Sequence, residues 1–162
     1  MKLDVLLVSM PFGPLLWPSI GLSLLKAGLE PLGLRTRVQY FTFDFARRTG
    51  QSFYTFVSND ARLSLVDLPG EWVFSSALFG TSDSEALRYL DEIGHWHAPW
   101  AEKTWVKRPQ PPTVEKLLKA RSRVEEFLED CLDEIEHCAP RIVGFTSMFQ
   151  QHVASLALAR GI

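Results

Sequence analysis

The pair His95 and His97, in the stretch "HWHAPW", is the first place where residue type and spacing point to chemistry. Alternate residues of an extended chain share a face, so two imidazoles would be offered to one metal ion. Two ligands fall short of the three or four that zinc takes from a protein. No cysteine or third histidine lies nearby, and His137 and His152 belong to other elements. We therefore read His95 and His97 as ordinary packing or surface residues and expect no metal site. The cysteines, Cys131 and Cys138, sit on one predicted helix. Two helical turns put them roughly 10 Å apart along the axis, too far for a disulfide. Two thiols are also too few for an iron–sulfur cluster held by this chain alone.

Several catalytic signatures are absent. No GxGxxG follows the first strand, and there is no P-loop lysine motif, no Gly-x-Ser-x-Gly elbow and no CxxC. A phosphate-accepting receiver needs an acid at the end of its third strand, where Thr146, Ser147 and Met148 stand instead. We expect no catalytic residue in this chain.

The elements that must position any site are legible in outline. "LDVLLVSM" (3–10) reads as a strand buried on both faces, as in a parallel sheet. A proline-rich loop follows, and Ser19 or Pro18 opens a buried helix that carries Ile20, Leu22, Leu24, Leu25, Leu29 and Leu32 and ends at Gly33. "RTRVQYFTF" (35–43) is the second strand, completing a right-handed βαβ unit. Alternation then fails, and about 45–112 reads as a helical insertion, with one helix over 70–80 and another capped by Ser82 and Glu85. A single helix is expected from Thr113 to about His137, on the stripe Leu117, Val124, Leu128, Cys131, Ile135 and Cys138. Its basic residues fill the N-terminal half and its acidic residues the C-terminal half, against the helix macrodipole. "RIVGFTS" (141–147) is the third strand and "QQHVASLALAR" starts the third helix.

These elements predict an α/β fold: a three-layer, flavodoxin-like domain over 1–162 with a parallel sheet in the order 2-1-3. In such sheets ligands bind beyond the carboxyl ends of the strands, at the switch point between the first and third. Two loops wall that point. Pro11, Phe12, Pro18, Ser19 and Gly21 form one side, and Ser147, Met148, Gln150 and Gln151 the other. Neither loop carries a charge, which argues against a bare phosphate and suits a large, mostly neutral ligand.

Net charge is −2, so neither nucleic acid nor an anionic membrane surface is an expected partner. Residues 5–25 are uncharged, yet Pro11, Gly13, Pro14 and Pro18 break any helix there, and Asp4 is wrong for a signal peptide. With two unpaired cysteines this predicts a cytoplasmic protein. Five Trp and eleven Phe point to a large core or to a surface that meets a partner.

The segments "LLVSMPFGPLLWPSIGLSLLKAGLEPLG", "FDFARRTG", "GEWVFSSALFG" and "VGFTSMFQQHVASLALAR" together resemble the N-terminal region of radical S-adenosylmethionine proteins that mature ribosomally made peptides. The resemblance covers most of the chain. It implies a cobalamin-binding-type domain of flavodoxin-like topology, belonging to a peptide-modifying enzyme and, by family, a methyltransferase. The nine loop residues named above become its expected cobalamin contacts. A CxxxCxxC motif, which would hold the iron–sulfur cluster and S-adenosylmethionine, is absent, so that chemistry is expected only in a downstream barrel. The DxHxxG motif that supplies an axial histidine in many cobalamin domains is absent as well. Two further strands expected of the family are missing, so the domain reads as truncated after its third strand and helix. Low cobalamin affinity follows. The barrel and a precursor peptide are the expected partners, and so is a second copy paired through the third strand's open edge. The alternative reading is a cofactor-free module that binds protein or precursor peptide.

Overall fold

The structure is a computed structural model that describes residues 3–59, 67–80, 83–94, 114–148 and 150–162. The elements run β1 (Val5–Ser9), α1 (Ile20–Leu29), β2 (Thr36–Tyr40), α2 (Thr42–Thr49), α3 (Gln51–Asn59), α4 (Pro69–Phe79) and α5 (Asp83–Gly94). They continue with α6 (Val114–Arg121), α7 (Val124–Cys138), β3 (Ile142–Phe145) and α8 (His152–Gly161). The fold is α/β and flavodoxin-like: a parallel three-stranded sheet in the order β2-β1-β3, flanked by helices. Val5 stands opposite Thr36 on one side and Ile142 on the other. Asp4 aligns the starts of β1 and β2, accepting the Arg35 main-chain N–H at 3.0 Å and its Nε at 3.1 Å.

β1 is buried at every position because it lies between both neighbours and both layers. Its side chains alternate. Leu6 and Val8 enter the main core, while Val5 and Leu7 face a small cluster with Leu22. Fully burying a side chain such as Leu6 stabilises the fold by about 1.5–3 kcal/mol. The main core takes up much of the aromatic excess. Phe45 lies 4.9 Å from Phe127 and 5.0 Å from Phe74, centroid to centroid, and Phe12 lies 5.0 Å from Tyr54. Burial pushes the Tyr54 hydroxyl far above its ordinary pKa, and it donates to the Gly13 carbonyl at 2.8 Å.

Three expectations are corrected. The second strand ends at Tyr40, and Thr42 opens α2, because Phe41 and Phe45 turn inward onto Phe127. The expected buried helix α1 is largely exposed. Only Leu22 is buried and Leu29 half-buried, while Ile20, Leu24, Leu25 and Leu32 face solvent. One helix against a narrow sheet has one stripe to bury, whatever its composition.

The single long helix is in fact two. α6 ends at Arg121 and α7 starts at Val124, with Ser122 Oγ donating to the Lys119 carbonyl beside the break. The Arg121 guanidinium lies over the Trp72 ring at 4.5 Å and donates to the Trp72 carbonyl at 2.5 Å. The break reverses the dipole argument. Lys119 and Arg121 now occupy the last turn of α6, and Glu125 and Glu126 the first turn of α7, each the favourable sign for its end. The predicted stripe survives: Leu117, Val124, Leu128, Cys131 and Ile135 are buried and Cys138 is half-buried. His95, His97, Ser82, Thr113 and the stop at 108–112 lie outside the described residues.

Candidate functional site

The carboxyl ends of β1 and β3 bring the two predicted loops together. The Phe12 N–H donates to the Gln150 carbonyl at 3.3 Å, so the loops touch through main chain. The nine predicted residues then sort into two groups.

Pro11, Phe12, Gln150 and Gln151 lie inside the protein. Phe12 packs edge-on to Phe45, at 5.6 Å, and to Phe53, at 6.4 Å. Gln150 Oε1 accepts the Gly70 N–H at 2.7 Å, and its Nε2 donates to the Val57 carbonyl at 2.6 Å. Gln151 Nε2 donates to the Met10 carbonyl and reaches Ser9 Oγ at 3.5 Å. Close packing here has no slack. A Cβ on Gly70 would stand 2.5 Å from Phe12 Cδ2, and one on Gly13 would stand 2.6 Å from Gln151 Nε2. These four residues set the shape of the crevice from beneath.

Pro18, Ser19, Gly21, Ser147 and Met148 lie at the surface or partly so. Ser19 is the N-cap of α1: its Oγ accepts the Leu22 N–H at 3.3 Å, and its own N–H donates to the Tyr40 hydroxyl at 3.1 Å. The rim also includes Leu16 (72% exposed) and Trp17 (61%), which the sequence reading passed over, alongside Met148 (65%). A groove of about 480 Å³ runs next to it, lined by Leu15, Leu16, Phe43, Ala46 and Arg47 among others.

His152 was also missed. Its Nδ1 lies 2.5 Å from Ser147 Oγ, on the first turn of α8. A Ser-x4-His spacing across a helix start is the signal that could have found it. Among the described residues no carboxylate completes the pair as a nucleophile–base–carboxylate relay. Glu71, the nearby acid, uses Oε1 to accept the His152 main-chain N–H at 3.1 Å and Oε2 to accept that of Val153 at 2.6 Å. Glu71 thus caps α8 in place of Gln151, which makes no side-chain cap bond.

The rim's chemistry is hydroxyl, amide and apolar surface. Among the described residues, the buried hydroxyl oxygens Thr42 Oγ1, at the start of α2, and Thr146 Oγ1, just after β3, have no hydrogen-bond partner. Among the described residues no cluster of three or more metal-ligating side chains occurs, and no helix is long and apolar enough to cross a membrane. No family model, curated protein or solved structure matches this chain.

Proposed function

We propose that this chain is the N-terminal cofactor-binding module of a cobalamin-dependent radical S-adenosylmethionine enzyme that modifies a ribosomally made peptide, as a methyltransferase. The observation that carries the reading is the carboxyl-end rim. Trp17, Leu16 and Met148 stand exposed in these two loops, neither of which carries a charged residue. Bound cobalamin would supply methyl-carrier chemistry. The chain's own residues do the rest: Trp17 and Met148 cover an apolar face, Ser147 offers a hydroxyl, and Gln150 and Gln151 hold the two loops in register. The module is not catalytic by itself, and the radical chemistry, iron–sulfur cluster and S-adenosylmethionine belong to a barrel that would dock at the same end. A cytoplasmic setting goes with this reading.

Titration with hydroxocobalamin, followed by equilibrium dialysis and the corrinoid absorbance bands, tests it. Weak retention is expected, with a Kd on the order of 10–500 µM, equivalent to about 5–7 kcal/mol. Trp17→Ser should weaken it several-fold. Absence of any retention or spectral change up to millimolar cobalamin would defeat the reading. That outcome would favour the second one, a cofactor-free peptide-binding module, for which the exposed Ile20 and Leu24 of α1 speak.

A further inference from the structure

We propose that the groove beside the rim binds a small amphipathic carboxylate, an apolar body with one negative head group. One face of α2 makes a wall of it. Phe43, Ala46, Arg47 and the C-capping Gly50 recur at the three- and four-residue spacing that lines a single helix face. Phe45 and Arg48 leave that face, one for the core and the other for Asp130. Leu15 and Leu16, from the loop after β1, and Gln51, the first residue of α3, complete the lining.

The lining is apolar except where it is positive. Leu16 (72%) and Phe43 (48%) are exposed, which leaves large apolar side chains in water around a concave surface. The volume of about 480 Å³ is that of a small-molecule site. Arg47 is the one charged residue among the described residues that line it. Its Nη2 donates to Asp44 Oδ1, one helical turn away and outside the lining. An exposed pair of this kind is worth little, and the other guanidinium donors remain for a ligand. Gly50, at φ +92°, adds no side chain, and a Cβ built there would meet no atom within 4 Å. The first N–H groups of α3, at Gln51 and Ser52, have no acceptor among the described residues, and a negative head group would meet the favourable end of that helix.

The charge selects the class. One guanidinium that already has an acid at its side suits a single negative charge better than the near-double charge of a phosphate monoester. A cation would meet Arg47 with no acid in the lining to offset the repulsion. An anion without an apolar body would leave Leu16 and Phe43 in water.

Octanoate is the probe, titrated into the full chain beside octylammonium, octyl phosphate and acetate, with the amide spectrum read by NMR. Octanoate should shift the Leu16, Phe43, Gly50 and Gln51 amides and saturate with a Kd on the order of 1 mM, as so small a ligand allows. Octyl phosphate should bind more weakly, and octylammonium and acetate should leave those amides unmoved. Arg47→Gln, at an exposed position, should keep the circular dichroism of the parent and weaken octanoate by roughly five-fold or more. Arg123→Gln, which removes an exposed cation outside the groove, should change nothing. Equal shifts with octylammonium would overturn the proposal, as would octanoate binding indifferent to Arg47→Gln, or shifts confined to residues outside the groove. Tighter binding of octyl phosphate would overturn the choice of a carboxylate. None of these probes is a corrinoid, so the hydroxocobalamin titration succeeds or fails independently of them.

Discussion

Gln150 Oε1 accepts the Gly70 N–H at 2.7 Å from across the core, tying the β3–α8 loop to the first turn of α4. Its Nε2 holds the Val57 carbonyl near the end of α3, so one amide fixes three segments. Gln150→Ala strands a buried donor and a buried acceptor, and should lower stability by about 2–4 kcal/mol. Gln150 also has φ +66°. Gln150→Gly relieves that left-handed conformation and should recover about 1 kcal/mol of the loss. Urea unfolding of both variants, compared at constant m-value, is the measurement. Equal midpoints for Ala and Gly would mean the backbone at 150 carries no penalty.

Glu71 takes the role of a helix cap from outside the helix. Glu71→Ala should cost about 1–2 kcal/mol, since the His152 and Val153 donors lose a charged acceptor at a helix N-terminus. Glu71→Gln keeps an acceptor oxygen without the charge and should fall between. Denaturation midpoints that rank Gln below Ala would refute the capping role.

Asp4 gives a pH dependence with a definite sign. The Arg35 main-chain N–H, then the Arg35 side chain, hold its carboxyl below the ordinary value of 3.8. A group with a lowered folded pKa stabilises the fold above its unfolded value, and that contribution disappears as the pH falls through the folded value. Asp4→Asn should therefore be less stable than the parent at pH 7, and the two should converge as the pH falls through the lowered folded value. A stability gap that stays constant from pH 7 to pH 2.5 would show that the charge is not responsible.

The two thiols should differ in reactivity. Cys131 is buried in α7, and burial, then the nearby Asp44, pushes its pKa well up, so it stays protonated at neutral pH. Cys138 is half-buried at the end of the same helix, 3.1 Å from Arg37 Nη1. A maleimide at pH 7 should label Cys138 and leave Cys131 untouched until denaturant is added. Mass spectrometry of the tryptic peptides reads the outcome, and early labelling of Cys131 would contradict its burial.

The sheet was legible in the sequence because its signals are local. The run Val5–Val8, the N-cap at Ser19 and the left-handed Gly33 each report on their own few residues. What stayed hidden depends on distant partners. The stripe from Leu117 to Val124 runs on across Ser122, since a seven-residue step is compatible with an unbroken helix and with a short break alike. The Arg121 side chain reaches across to Trp72, which no pattern within the helix announces. The apolar residues of α1 read as buried, although the sheet face beneath offers room for little beyond Leu22. The candidate loops were found by topology, but amides such as Gln150 and Gln151 look alike in sequence whether they meet a ligand or the protein's own main chain.

The central strand carries a consequence for synthesis. Leu6 pairs with Arg37 on one side and with Val143 on the other, so β1 gains its second neighbour only after α1 to α7 have all been made. At ribosomal rates that delay is on the order of ten seconds. Throughout it, one edge of an uncharged apolar strand has no mate, and Val8 and Met10 lack the α8 side chains that join them in the main core. The nascent chain is thus a ready client for a chaperone that recognises short apolar segments, and slowing translation just before Ile142 would lengthen that exposure.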